Sequence, residues 1–204
     1  MTMLAVEHIQ PKGLPAYAHL TGRWSNFLLA CVNCNSTKKD KDVDPANVLL
    51  PDRDNTFVTF QYLPDGTIVP SANATANGLG AIAEATLSLT GLDKAALNTP
   101  NENDVQVALD RMSQRMEAWL EAMTAKDELG QDPAHLLLRN AIVRQALAKG
   151  FFSVWMIVFA GDKDMRLRLI SAFQGTENSG CFDNQGNPLS PAPNPDGLSG
   201  GGKI

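Results

Sequence analysis

The sequence contains few cysteines, and this shortage excludes one class of protein. Three cysteines in 204 residues are an odd and small number for a secreted domain held together by disulfides. The first residues also lack the basic segment and the long apolar stretch that are typical of a secretory signal. We therefore expect a protein of the reducing cytoplasm.

Long apolar segments are missing as well. The longest apolar run, residues 151–161, is too short to span a bilayer and predicts a buried strand or a core helix. We expect no membrane association. The length of the chain suits one domain, or a small site-bearing domain with a helical extension.

The chain also lacks the strong basic excess that nucleic-acid-binding proteins normally carry. Its formal net charge is −5. Residues 1–45 contain five Lys or Arg and four Asp or Glu, a balance of +1, which leaves −6 for the remaining residues. A nucleic acid would therefore meet only a local basic surface, and its binding would need a metal ion or a partner.

The residue pattern predicts an α+β fold that begins with two strands and a helix. Residues 4–9 form a short apolar stretch that ends at Gln10-Pro11, and residues 24–30 form a second one. A helix is expected to start near residues 34–38, and Trp24 is expected in the core. Residues 57–70, with Pro-Asp-Gly in the middle, predict a β-hairpin.

Beyond the hairpin, apolar residues recur at three- and four-residue steps and predict a mainly helical C-terminal part. We expect four helices, at residues 76–89, from a cap at Asn103 or Asp104, from a cap at Asp132-Pro133 to Gly150, and at residues 162–173.

The composition changes to Gly, Asn, Pro and Ser from Gly175 onward. This change predicts a tail without fixed structure, apart from the segment around Cys181 and Phe182. The expected organisation is therefore a site-bearing part over residues 1–70, a helical extension over residues 71–175 and a flexible tail over residues 176–204.

Residues with catalytic potential are concentrated between Leu4 and Lys41. An acidic residue next to a histidine is followed by an asparagine, a Cys-x-x-Cys pair, a second asparagine and a lysine: Glu7, His8, Asn26, Cys31, Cys34, Asn35 and Lys38. Hydrolysis of a phosphodiester needs a base for the attacking water and a cation for the phosphate charge. This order of residue types resembles the HNH (ββα-metal) nuclease motif.

The resemblance implies a role for each residue. His8 would be the general base, Asn26 would tie the two strands together and orient the histidine, and Glu7 and Asn35 would bind Mg²⁺ or Mn²⁺ through oxygen. Because adjacent residues of a strand point to opposite faces, Glu7 and His8 can share a site only if the strand ends or twists there.

Basic residues close to the motif would contact the nucleic acid. Lys38 follows Asn35 by one helical turn and would reach a phosphate. The other expected contacts are Lys39 and Arg23.

The Cys31–Cys34 pair has the spacing of half a structural zinc site, but four ligands normally complete such a site. HNH relatives with this pair usually carry a second pair upstream, which is absent here. Three explanations remain open. The chain starts downstream of the natural start, the pair consists of buried thiols without zinc, or Cys181 and His19 complete the site.

A longer pattern narrows the resemblance. The segment W-S-N-F-L-L-A-C-V-N-C-N-S-T-K is followed by L-L-P and by Y-x-x-D-G-x-I, and residues 4–125 resemble the HNH proteins of Septu- and retron-type anti-phage systems. This resemblance implies a nuclease that acts on nucleic acid, with DNA favoured, beside an ABC- or OLD-like ATPase partner.

Two other functions remain as alternatives. The chain could be a non-catalytic protein that binds nucleic acid or a partner through an HNH-like fold, as its acidic balance suggests. It could also be a thiol redox protein that uses Cys31 and Cys34.

Overall fold

The computed structural model of the chain describes residues 4–93 and 102–204, excluding the side chains of residues 102–109. It is an α+β structure with two small antiparallel sheets and a mainly helical C-terminal part. The strands are β1 (Leu4–His8), β2 (Phe27–Cys31), β3 (Phe60–Tyr62) and β4 (Ile68–Pro70). The helices are α1 (Val32–Lys38), α2 (Thr56–Thr59), α3 (Ala72–Ala76), α4 (Gly80–Thr90), α5 (Glu102–Gln131), α6 (Leu136–Lys149), α7 (Phe152–Val158) and α8 (Lys163–Ala172).

The described residues form two compact units that do not follow the order of the chain. One unit comprises residues 4–61, 68–93 and 190–204, and the other comprises residues 62–67 and 102–189. The sequence instead predicted three successive parts, with boundaries near residues 70 and 175. The boundaries differ because the tip of the β3–β4 hairpin packs against α5, where Gly66 lies against Met112 and its carbonyl accepts a hydrogen bond from Arg115.

The first unit begins with two strands and a helix in direct succession. β1 and β2 pair in antiparallel register, from Leu4 opposite Cys31 to His8 opposite Phe27. α1 follows β2 without a loop because the Cys31 sulfur accepts a hydrogen bond from the Cys34 N–H and caps the helix. The order strand, strand, helix is the order that the sequence predicted for this part.

A small apolar core supports this arrangement from one side. Ile9 is buried with Val43, Val48 and Leu50, which lie in the segment after α1, and Leu28 packs against them. One face of the β1–β2 sheet therefore lies on the core. The burial of these side chains supplies the hydrophobic stabilisation that a two-stranded sheet needs in water.

The end of the chain returns to the first unit. The Ile204 carbonyl accepts hydrogen bonds from Asn55 N and Ala192 N, at 2.7 and 3.0 Å, and the Ile204 side chain is buried. The predicted flexible tail did not anticipate these contacts. They depend on backbone groups and single side chains, which leave no periodic pattern in the sequence.

The second unit is built from α5, α6, α7 and α8. The apolar run at residues 151–161 forms α7, and Trp155 and Met156 are completely buried, so the core-helix alternative is confirmed. No helix in the described part of the chain has both the length and the apolar character that a membrane span requires.

Helix ends in this unit agree with the predictions in part. Gly150 ends α6 with φ of 79°, as predicted. The predicted cap at Asp132 is wrong, because the His135 ring nitrogen accepts the Leu138 N–H and the helix begins at Leu136. The predicted caps at Asn103 and Asp104 are also wrong, because α5 already begins at Glu102.

Candidate functional site

The two faces of the β1–β2 sheet separate Glu7 from His8. Glu7 stands opposite Leu28, which packs on the core, whereas His8 stands opposite Phe27 on the other face. β1 ends at His8, so the chain is released from strand geometry directly after the histidine. Glu7 and His8 were expected to share a site only if the strand ends or twists there, and the backbone meets this condition. The two side chains nevertheless leave β1 on different faces.

Asn26 joins the two strands at the end that carries His8. Its side chain is buried, and its Nδ2 donates to the Gln10 carbonyl at 2.9 Å while its Oδ1 accepts from the Gln10 N–H at 2.8 Å. The Asn26 carbonyl in turn accepts from Ile9 N at 2.9 Å. The amide thus continues the hydrogen-bond ladder past the last strand pair, and each such bond contributes about 1 kcal/mol.

The His8 ring is held by two contacts. Its Nε2 lies 3.1 Å from the Thr21 carbonyl oxygen, and its ring meets the edge of Phe27 with centroids 4.9 Å apart. Because a carbonyl oxygen only accepts, Nε2 carries the proton in this contact. The neutral ring then has its lone pair on Nδ1, which is the nitrogen that can accept a proton from water.

Glu7 and Lys38 form an ion pair between β1 and α1. The Lys38 Nζ lies 2.6 Å from the Glu7 carboxylate, and only 8% of the Lys38 side chain and 12% of the Glu7 side chain are exposed. The same ammonium donates to the His8 carbonyl at 2.8 Å. Lys38 was expected to reach a phosphate, but in this arrangement it neutralises Glu7 and fixes the backbone at His8. Loss of either partner would leave a poorly solvated charge.

Asn35, Lys39 and Arg23 are the remaining predicted residues. Asn35 is half-buried on α1, one turn before Lys38. Lys39 and Arg23 are exposed, so both ammonium and guanidinium groups are accessible to a polyanion. The structure thus brings Glu7, Lys38 and α1 together on the core side of the sheet and places the His8 ring on the other side.

Arg53 is a supporting residue that the sequence reasoning missed. Its guanidinium is buried and donates to the carbonyls of Ser25 and Ser199, at 3.1 and 2.9 Å, and to Asp52. Ser25 immediately precedes Asn26, so Arg53 fixes the turn from which Asn26 reaches across to Gln10. The sequence did not indicate this role because Arg53 lies in Pro-Asp-Arg-Asp, a composition typical of a solvated turn.

The cysteine pair lies at the junction of β2 and α1. The two Sγ atoms are 3.2 Å apart, which is longer than the roughly 2.05 Å of a disulfide bond. Across residues 4–93 and the described side chains from 110 onward, no group of three His, Cys, Asp or Glu is arranged to hold a metal ion. A zinc site that uses Cys31 and Cys34 therefore stays a prediction. The antiparallel pairing of β1 and β2 also differs from the βαβ unit that the redox alternative requires.

A second polar feature lies in a cleft of about 430 Å³ beside Val43 and Leu89. There the Tyr17 hydroxyl donates to the Asp42 carboxylate at 2.5 Å. This hydrogen bond raises the pKa of Tyr17 above its ordinary value, because loss of the proton would place a second negative charge beside the carboxylate. The phenol is therefore held in its protonated form.

In comparisons with known proteins, no family model, no curated protein and no solved structure matches this chain. The fold of the chain therefore defines its structural class. The chain is an α+β protein whose first unit contains a ββα arrangement joined by a buried asparagine.

Proposed function

We propose that this chain is a metal-dependent endonuclease of the HNH (ββα-metal) type, which hydrolyses phosphodiester bonds of nucleic acid. The observation that carries the proposal is the reciprocal pair of hydrogen bonds between Asn26 and Gln10. It ties the end of β1, where His8 lies, to the start of β2, the strand that leads into α1 with Asn35. This is the role that the resemblance assigns to the middle residue of the motif.

His8 is the proposed general base. Its Nε2–H is anchored on the Thr21 carbonyl, which leaves Nδ1 as the basic nitrogen of the neutral ring. Phe27 limits the rotation of the histidine ring because the two rings pack against each other nearly at right angles. Both contacts keep the imidazole in one orientation before substrate binds, which is the preorganisation that acid–base catalysis requires.

The donor set on β1 and α1 suits a hard divalent cation. Glu7 and Asn35 offer oxygen atoms, the ligand type that Mg²⁺ and Mn²⁺ prefer. When bound, such an ion supplies a Lewis acid for the phosphate oxygens. Glu7 is the carboxylate of this pair, and the Lys38 ammonium now occupies a position against it. Lys38 therefore competes with a cation for Glu7, and its release would free a positive charge for the phosphate.

The finer features of the proposal rest on the longer sequence resemblance. They are DNA as the substrate, anti-phage defence in a bacterial cytoplasm, and an ABC- or OLD-like ATPase as the partner. The local basic residues Arg23 and Lys39, which are exposed near the motif, support nucleic acid as the substrate class.

One observation favours a second candidate function, a non-catalytic nucleic-acid- or partner-binding protein with an HNH-like fold. The Glu7 carboxylate, which would have to bind the metal ion, is already neutralised by a buried lysine at 2.6 Å. A protein that had lost catalysis could keep this ion pair as a purely structural link between β1 and α1.

A cutting assay separates the two functions. Supercoiled plasmid, linear duplex, and single-stranded DNA and RNA are incubated with the whole chain and with Mg²⁺ or Mn²⁺, with and without a chelator. The endonuclease proposal expects nicked or linear products that disappear with the chelator and return when excess metal is added. An absence of cutting on every substrate supports the non-catalytic alternative, and cutting that the chelator leaves unchanged contradicts the metal dependence.

A further inference from the structure

Trp24 is the most exposed large apolar side chain among those that the structure describes. It is 88% exposed, although the sequence predicted a core position, so that prediction is wrong. The reason is local, because the residue lies in a single 3₁₀ turn, Trp24–Asn26, whose only buried side chain is Asn26. A tryptophan that is this exposed contributes little hydrophobic stabilisation, although burial of an aromatic side chain removes about 150–250 Å² from water.

The exposed tryptophan stands next to the proposed catalytic histidine. The Trp24 ring lies edge-on to Phe27 with centroids 6.4 Å apart, and the same Phe27 ring contacts His8 with centroids 4.9 Å apart. The three aromatic rings therefore form one continuous group. A ligand group that rests on the Trp24 ring would therefore lie on the same aromatic group that includes His8.

The sheet face beside this aromatic group is also uncovered. Leu4, Val6 and Leu29 share the face of His8 and Phe27, and they are 65%, 61% and 71% exposed. β1 contains five residues, so this face is only about 17 Å long and, with two strands, about 10 Å wide. A stable interface between two proteins usually takes about 800 Å² from each partner, which is several times larger than this face.

The charge of the surrounding segment indicates a polyanion. Residues 8–39 contain no Asp or Glu. This segment includes the loop that follows β1, the strand β2 and the helix α1. It contains Lys12, Arg23, Lys38 and Lys39 together with His8 and His19, in a chain whose net charge is −5. Of these groups, Lys12, His19, Arg23 and Lys39 are exposed. The segment that contains the uncovered strand β2 and Trp24 therefore carries exposed Lys and Arg side chains and no acidic residue, in a chain that is acidic elsewhere.

We propose that Trp24 is a stacking platform for an unpaired base of a single-stranded nucleic acid, with Arg23 beside it to contact the backbone phosphate. An exposed indole and neighbouring cations are the two components by which proteins bind single strands without reading their sequence. Paired bases are stacked within a duplex and offer no free face to a side chain. The inference rests on the proposed function, because it names the form of nucleic acid that the His8 site would receive.

The test measures binding without cutting. Labelled single strands of about 12 nucleotides, oligo(dT) and oligo(U), and a blunt-ended duplex of similar length are titrated with the whole chain in the presence of a chelator. Trp24→Ala is expected to weaken binding of single strands by about 5- to 100-fold, whereas Trp24→Phe stays within about threefold of wild type. The two single strands distinguish DNA from RNA. Leu137→Ala is the matched control, because Leu137 is 73% exposed on α6 and should leave binding unchanged.

Intrinsic fluorescence supplies a second measurement that a purely structural role would not move. Trp155 is fully buried and Trp119 is half-buried on α5, so Trp24 is the tryptophan most accessible to a ligand, and stacking on it is expected to quench emission of the wild type on addition of oligo(dT) or oligo(U). Trp24→Phe should remove most of this quenching while it preserves binding. Circular dichroism melting of each variant verifies that the fold is retained.

Three results would overturn the inference. The first is single-strand affinity of Trp24→Ala within twofold of wild type. The second is an equal loss of affinity for the blunt-ended duplex. The third is a Trp24→Ala variant that differs from the wild type in molecular size in gel filtration but has the same oligonucleotide affinity. This result would assign the face to self-association. A chain that binds through Trp24 but never cuts with metal disproves the proposed function alone, and a chain that cuts while Trp24→Ala binds normally disproves this inference alone.

Discussion

His8→Ala is expected to lower the rate of nucleic-acid cutting by about 10²- to 10⁴-fold, the usual contribution of a positioned general base. The substitution removes the only proposed proton acceptor at the end of β1. It also removes the contacts of the ring with Thr21 and Phe27, but these involve a half-buried side chain at the edge of the sheet. The fold should therefore survive.

His19→Ala is the matched control for this prediction. His19 lies between His8 and Asn26 in the sequence and is exposed in a 3₁₀ helix, Pro15–Leu20. Initial rates of cutting with Mn²⁺ and thermal melting are measured for both variants and the wild type. Equal rates for His8→Ala and wild type would refute the assignment of the base, whereas equal losses in both histidine variants would point to a general effect on binding.

Asp54→Ala is expected to lower the free energy of unfolding by about 3–5 kcal/mol, the cost of removing one partner from a buried charge pair. The Asp54 side chain is fully buried, accepts from Leu50 N and Lys203 N at 3.0 Å each, and pairs with the Lys203 ammonium at 3.1 Å. Its loss leaves the N–H groups of Leu50 and Lys203 without this acceptor and removes one of the links that hold the end of the chain in the first unit.

Asp196→Ala provides the comparison, because Asp196 is exposed on the same C-terminal segment and should change stability by less than about 0.5 kcal/mol. Urea unfolding followed by circular dichroism gives both values. A loss below about 1 kcal/mol for Asp54→Ala would mean that the packing of residues 190–204 contributes little to the stability of this unit.

The ββα order of the first unit could be predicted because its signals are local. A short apolar stretch ended by Gln10-Pro11 and a second one before the cysteine pair each depend on neighbours within a few residues. The Asn26 contact was implied by the resemblance, and its geometry agrees with the strand-joining role. The helical C-terminal part was predicted from periodicity, and α5, α6 and α8 agree with it. For residues 151–161 the sequence left a strand and a core helix open, and the structure has the helix α7.

The partners of charged and aromatic side chains could not be predicted in the same way. Lys38 follows Asn35 by one turn, and nothing in the sequence indicates whether its ammonium turns to Glu7 or to solvent. Trp24 has an apolar side chain next to an apolar strand, yet its turn directs it outward. Such choices depend on which surfaces tertiary packing brings together, and residues far apart in the chain decide them.

The central claim, that Glu7 and Asn35 bind a divalent cation at the end of β1 that carries His8, is tested most directly by adding substoichiometric Mn²⁺ while the ring protons of the three histidines are observed by NMR. The account predicts that the His8 signals broaden at a lower Mn²⁺ concentration than those of the other two histidines and that Asn35→Ala requires much more Mn²⁺ for the same effect. Sharp His8 signals, or equal broadening of all three histidines, would contradict it.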